Sequence, residues 1–188
     1  MTKAALRTLY KQKRLALTAA KKDKLEDLIL IQFQQLPISF PDVVMTYAPI
    51  QKLAEYNPVL IEEYCIFKNP ATRLVYPVAN FTNNTLQAFE VEPDTYFDVN
   101  SYGIDEPIDG TPLAPTDIDM MLVPLLTFNE QGYRVGYGKG FYDKFIAQCK
   151  QNIILIGISF FEPAIIDDVH YLDEKLDFCI TPNRIYAF

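Results

Sequence analysis

Apolar and polar positions set the rhythm of this chain. Residues 2–18 mix Ala4, Ala5, Leu6, Leu9, Leu15 and Leu17 with basic side chains, which predicts an amphipathic helix. Thr18 is placed to cap a second helix running to Leu36, where Pro37 follows. DVVMTYAP (42–49) reads as a buried strand. NPVLIEEYCIF (57–67) puts Asn at a cap position and Pro at the first helical position, then takes helical spacing. RLVYPVA (73–79) and TLQAFEV (85–91) read as strands. Residues 92–117, rich in Pro, Asp and Gly, predict a long irregular connection of the kind that carries function.

DMMLVPLLTF (119–128) is a nearly continuous apolar run, followed by a glycine-rich loop, a short helix at 141–150 and a second apolar run at 152–160. Strand, loop, helix and strand without polar alternation predict a parallel βαβ unit buried on both faces. Residues 176–181 and 184–188 add a final strand or hairpin. There is no internal repeat, low-complexity tract or linker. The expected architecture is α/β, a central mixed sheet covered by helices.

Composition narrows the classes. With 188 residues and 49% hydrophobic content, the chain suits one domain with a substantial core. No apolar run approaches the roughly 18 residues of a membrane span. The start lacks an apolar signal core, so a soluble, cytoplasmic protein is expected. Cys65, Cys149 and Cys179 lie far apart and suggest free thiols in a reducing compartment. The lone histidine, His170, argues against a histidine-based zinc site and is assigned a surface or packing role.

Net charge is −7, yet the first 24 residues carry Lys3, Arg7, Lys11, Lys13, Arg14, Lys21, Lys22 and Lys24 against only Asp23. An acidic body with a basic start speaks against general nucleic-acid binding and fits attraction of a small anion. A solvated helix face is the plain alternative. A transit peptide would also be basic, but the absence of serine and the modest arginine count there disfavour it.

The chemistry concentrates in RVGYGKGFYDKF (134–145). Of seven glycines, Gly136, Gly138 and Gly140 stand at alternate positions here, with Gly132 just upstream. Glycines allow positive φ and let a ligand approach bare amides. A following helix favours phosphate, Lys139 adds a mobile charge, and Arg134 adds a fork of donors. The loop is neither the P-loop pattern, since Gly140 replaces Ser or Thr after the lysine, nor the dinucleotide GxGxxG. It reads as a nonstandard phosphate cradle at the carboxyl end of a strand, with a tight strand-to-helix turn as the alternative. Asp143 suits a helix start in any case; beside a phosphate cradle it also suits Mg²⁺. Lys3 and Arg7 share a helix face and can clamp a polyphosphate if that helix docks over the loop.

These residues resemble the 5-formyltetrahydrofolate cyclo-ligase family. VPLLTFNEQGYRVGYGKGFYDKF (123–145) is similar to its signature, a strand with Pro followed by G-x-R-[LV]-G-x-G-x-G-[YF]-Y-D. KAALRTLYKQKRLALT (3–18), YAPIQKLAEYNPVL (47–60), YGIDEP (102–107) and YLDEKLDFCIT (171–181) resemble further family segments in order. Leu172 stands where many relatives have His, Tyr56-Asn57-Pro58 replaces a more usual acidic-Thr stretch, and Phe141 replaces a common Tyr.

The resemblance implies a three-layer α/β/α domain over 1–188 with a mostly parallel sheet, similar to sugar-phosphate isomerases and CoA transferases, with basic helices 2–36 packed on it. It implies ATP-dependent cyclisation of 5-formyltetrahydrofolate to 5,10-methenyltetrahydrofolate, with ADP and phosphate released after phosphorylation of the N5-formyl oxygen. It assigns ATP binding to Lys3, Ala4, Ala5, Leu6 and Arg7, and to Arg134, Val135, Gly136, Tyr137, Gly138, Lys139, Gly140, Phe141 and Tyr142, with Lys139 and Arg134 catalytic. Ile50 and Glu55 would contact the folate, and Asp143 and Asp173 would hold Mg²⁺. A monomer is expected, acting on a small-molecule folate with or without a polyglutamate tail, with no nucleic-acid or membrane partner. The rival readings are a non-catalytic nucleotide or phosphosugar binder on the same fold, and a sugar-phosphate isomerase.

Overall fold

The computed structural model describes residues 1–188. Helices α1 (Lys3–Leu15) and α2 (Ala19–Phe33) lead, each capped by a threonine: Thr2 Oγ1 accepts from Ala5 N at 3.3 Å, and Thr18 Oγ1 from Lys21 N at 3.2 Å. Strand β1 (Val43–Met45) is followed by a 3₁₀ turn, Gln51–Leu53, and helix α3 (Val59–Lys68). Pro58 supplies the first helical carbonyl of α3, and Asn57 Oδ1 accepts from Val59 N at 3.3 Å. Strands β2 (Arg73–Asn80) and β3 (Thr85–Val91) form a hairpin. Then come β4 (Phe97–Val99), β5 (Asp105–Pro107), β6 (Thr111–Leu113), β7 (Met120–Val123), β8 (Thr127–Phe128) and β9 (Arg134–Val135). Helix α4 (Phe141–Ile146) and strands β10 (Ile154–Ile158), β11 (Phe178–Ile180) and β12 (Ile185–Ala187) complete the chain.

The main sheet runs β12-β11-β10-β7-β1-β2-β3-β6. Its five central strands, β11 to β2 in that order, are parallel, and the outer strands are antiparallel. Both faces of the centre are dry. Along β7, Met120 and Leu122 face the cluster that holds Ile29 and Phe33 of α2 and Ile61 of α3. Met121 and Val123 face the opposite cluster, which holds Phe145 of α4 and Phe128 of β8. Period-2 alternation with apolar residues on both sides is what a buried parallel strand requires. Each such side chain contributes about 1.5–3 kcal/mol by its burial.

Three expectations need correction. Residues 92–117 are not wholly irregular: β4 and β5 pair as a ribbon, and β6 joins the edge of the main sheet. The run 119–128 is not one strand. Pro124 lacks an N–H for the ladder, so the chain leaves the sheet after Val123 and re-forms as the β8–β9 hairpin. The two flanking helices are shorter than their patterns suggested. The second ends at Phe33 rather than Leu36; α4 ends at Ile146 rather than 150, where its bonds tighten to Gln148 N–Phe145 O and Cys149 N–Ile146 O. Cys65 and Cys179 are buried free thiols and Cys149 is half-buried. No helix is long and apolar enough to cross a membrane.

Candidate active site

The β8–β9 hairpin decides where the glycine loop lies. Asn129 closes its turn, its Oδ1 accepting from Gln131 N at 3.1 Å and Tyr133 N at 2.9 Å. Thr127 pairs with Val135 and Phe128 with Arg134, so β9 carries the loop across the carboxyl ends of the parallel strands. Leu6 and Tyr10 of α1 pack with Leu126 of the hairpin approach, Val135 and Ile166, which fixes α1 over the loop. That docking is the step the sequence left open.

A cavity of about 410 Å³ results, bounded by α1, the glycine loop, segment 47–55 after β1, the ends of β2 and β3, and residues 102–106. Arg7 Nε donates to Gly136 O at 2.9 Å. Gly138 has φ +90°, and a Cβ there would stand 2.8 Å from the Arg7 guanidinium carbon. Lys3 forms an ion pair with Asp173, and its backbone N donates to Asp168 Oδ1 at 2.6 Å. Lys139 is exposed at the cavity edge and enters none of the ion pairs or hydrogen bonds. Cations therefore gather on the side of α1 and the loop. Helix α4 has only six residues, so these side chains and the loop amides, rather than a helix dipole, make this wall attractive to an anion.

Arg134 plays an organising part. It is buried, and its Nη2 donates to Asp143 Oδ1 at 2.7 Å while Nη1 donates to Glu174 O at 3.0 Å. Burial pulls the guanidinium below its usual range; the Asp143 and Asp173 charges oppose that.

The adjoining wall is built on Glu55, which is buried. Its Oε2 accepts from Ile50 N at 2.8 Å and its Oε1 from the Tyr137 hydroxyl at 2.6 Å. Burial pushes the Glu55 carboxyl up, while these two bonds and the Arg14 charge pull it back. Burial and Glu55 together push the Tyr137 phenol up. Across the mouth, Phe81 stacks on Tyr102 at 3.8 Å between ring centres, and Lys52 Nζ donates to Tyr102 O at 2.6 Å.

Most residues named from the sequence line this one cavity: Lys3 and Arg7 from α1, Ile50 and Glu55 from the adjoining wall, Arg134, Gly136 through Asp143, and Asp173. Four do not. Ala4 and Ala5 lie on the solvent side of α1, Leu6 is a core residue of the same helix, and Val135 points into the core from β9. Helical and strand periodicity turn these side chains away from the faces that carry Arg7 and Arg134. Residue order assigns no individual role to Arg14, Tyr47, Lys52, Phe81 and Tyr102. Arg14 had a visible signal, since it continues the basic face of α1; the others were hidden among many aromatic and charged residues.

Asp143 and Asp173, the two acids expected to hold a metal, both line the cavity. One oxygen of each is already engaged, Asp143 Oδ1 by Arg134 and Glu174 N, and Asp173 Oδ2 by Lys3 and His170 N. The other oxygen of each accepts no hydrogen bond. No group of three or more His, Cys, Asp or Glu side chains is placed to hold a metal ion by itself. Two carboxylates without a third protein donor suit a hard ion that draws its remaining ligands from phosphate and water, as Mg²⁺ does.

The sequence matches the 5-formyltetrahydrofolate cyclo-ligase family over residues 2–181. It is 32% identical over 161 residues to the 5-formyltetrahydrofolate cyclo-ligase of Mycoplasma pneumoniae, covering 85% of this chain and 86% of that protein. The fold is similar to that of a 5,10-methenyltetrahydrofolate synthetase from Mycoplasma pneumoniae, with a TM-score of 0.72 and 26% identity over 97% of this chain and 99% of that one. It is also similar to the Aquifex aeolicus 5,10-methenyltetrahydrofolate synthetase, with a TM-score of 0.78 over 100% of this chain and 93% of that one; at 24% identity that likeness speaks for the fold.

Proposed function

The chain belongs to the 5-formyltetrahydrofolate cyclo-ligase family, and from that premise we propose that its cavity carries out the ATP-dependent closure of 5-formyltetrahydrofolate to 5,10-methenyltetrahydrofolate. The observation that carries this reading is the meeting of α1 with the glycine loop, Arg7 on Gly136, in the same cavity that Ile50 and Glu55 line. A cation-rich side and a carboxyl-bearing, aromatic side suit a nucleotide and a folate held face to face.

ATP, when bound, supplies the γ-phosphoryl group that makes the N5-formyl oxygen a leaving group, so that N10 closes the ring and phosphate departs. The protein's share is positioning and charge neutralisation. Lys3 and Arg7 hold the phosphates from α1. Lys139, free of any protein partner, follows the transferred charge. Asp143 and Asp173 would hold Mg²⁺, which neutralises phosphate charge there. Arg134 keeps Asp143 in place through the bond at 2.7 Å. Glu55 and the Ile50 segment orient the folate.

Lys3 and Asp173 neutralise one another in the free protein, as do Arg134 and Asp143. Phosphate and metal would divide the first pair, the anion taking Lys3 and the metal Asp173, while Arg134 keeps its bond to Asp143. The site thus avoids isolated charges before substrate arrives. Incubation with 5-formyltetrahydrofolate and MgATP tests the reading: methenyl product should appear by its absorbance, with ADP and phosphate in equal amounts. Absence of methenyl product from folded protein overturns it.

A further inference from the structure

Arg14 is no part of the cavity lining, yet it touches three of the elements that build the cavity. It is 3% exposed. Its Nε donates to Leu53 O at 2.7 Å, its Nη1 to Leu125 O at 3.3 Å, and its Nη2 to the Tyr137 hydroxyl oxygen at 2.5 Å. Tyr137 spends its own proton on Glu55 Oε1 at 2.6 Å, and Glu55 returns through Oε2 to Ile50 N at 2.8 Å.

The connection is closed. It starts in segment 50–55, passes through Glu55 and Tyr137 to Arg14, and ends at Leu53 in the same segment. Its middle member sits between Gly136, whose carbonyl holds Arg7, and Gly138, which lies against the Arg7 guanidinium. Lys11 Nζ lies 5.6 Å from the centre of the Tyr137 ring, so the phenol is held from its face as well. A shift of the glycine loop therefore moves the hydroxyl that orders Glu55, and a shift of segment 50–55 moves the loop. Buried, charge-assisted bonds of this kind do not slacken gradually.

We propose that Arg14 and Tyr137 are positioning residues that couple the nucleotide loop to the folate wall, so that each substrate binds more tightly to the complex with the other than to the free enzyme. The proposal rests on the cyclo-ligase reading of the cavity. Coupling of this sort is reciprocal: folate tightens nucleotide by the same factor by which nucleotide tightens folate.

Titration calorimetry on the full chain tests it, using a non-hydrolysable ATP analogue with Mg²⁺, with and without saturating 5-formyltetrahydrofolate. The wild type should show a coupling factor of about 5–150-fold. Tyr137→Phe, which keeps the ring and its contact with Lys11, should bring the factor near one in a protein that is still folded, although at a lower melting temperature because Arg14 and Glu55 each lose a buried partner. Arg14→Lys, which keeps charge but loses the fork, should lower it too. A wild-type factor near one, or an unchanged factor in folded Tyr137→Phe, overturns the proposal. Equal weakening of both affinities with their ratio kept marks a merely structural role and overturns it as well. Formation of methenyl product by the wild type, measured separately, tells failure of the coupling from failure of the reaction assignment.

Discussion

The guanidinium of Arg7 covers Gly138 so closely that a single added carbon on that glycine would lie 2.8 Å from its Cζ. Two stretches more than a hundred residues apart in the chain thus depend on one missing side chain.

Gly138→Ala should therefore fail where Gly136→Ala does not. Gly138 has φ +90°, and alanine there costs about 1–2 kcal/mol in backbone strain and also displaces Arg7. Gly136 has open space around its would-be Cβ and no left-handed backbone. Gly138→Ala should lower Tm by about 2–8 °C and raise the KM for ATP by about tenfold or more. Gly136→Ala should keep the wild-type Tm. Thermal melts and ATP titrations of the two variants side by side make the comparison.

Lys3→Ala should raise the KM for ATP by about 10–100-fold, the worth of a charge-assisted contact, with a smaller change in kcat. Asp173→Asn should instead raise the Mg²⁺ concentration needed for half-maximal rate. Steady-state kinetics with nucleotide and metal varied independently separates the two. Deleting residues 1–8 is a poorer test, because Leu6 is 1% exposed and its loss would damage packing as well.

Lys139→Ala and Asp143→Asn should both lose turnover but differ in stability. Lys139 has no protein partner, so its removal should leave Tm unchanged and lower kcat by about 10²–10³-fold. Asp143 neutralises the buried Arg134, so Asp143→Asn strands that charge and should also lower Tm. Full activity of either variant at saturating MgATP would remove that residue from the mechanism.

Glu62 offers a test outside the cavity. It is buried, and accepts from Thr46 Oγ1 at 2.6 Å and the Tyr76 hydroxyl at 2.9 Å. Burial pushes its carboxyl above the ordinary range. The folded state then holds this proton more tightly than the unfolded chain does. Its stabilising contribution is full below the unfolded pKa and is lost as pH rises through the folded pKa. Glu62→Gln retains an acceptor for both hydroxyls but cannot ionise. Its Tm should fall less than the wild type's as pH rises from the carboxylate range to neutrality. Glu55, shifted in the same direction, supplies the part of the slope that remains. Superimposable Tm–pH curves would reject the assignment.

Much of this was legible in residue order. The first helix, expected over residues 2–18 and found over Lys3–Leu15, announced itself through apolar spacing, and Thr18 announced the cap of the next, because both signals act over one helical turn. The buried parallel strands were visible in unbroken apolar runs, and Gly136–Gly140 around Lys139 marked the loop that lines the cavity, because glycine at alternate positions serves few ends other than a close approach. What local pattern could not supply was the cut at Pro124, where an apolar run left the sheet to form a hairpin, and the short strands hidden in residues 92–117.

The sequence by itself determined which chemistry this protein carries: a basic first helix, a glycine loop with its lysine and aspartate, and a glutamate after the first strand. Only the tertiary structure decided what these groups do to one another. Lys3 meets Asp173, Arg134 meets Asp143, and Arg14 reaches Glu55 through Tyr137 because strand order and the β8–β9 hairpin fold distant segments onto one cavity. Side-chain identity is a property of each position, whereas pairing energies depend on separations of a few ångströms that packing of the whole chain sets.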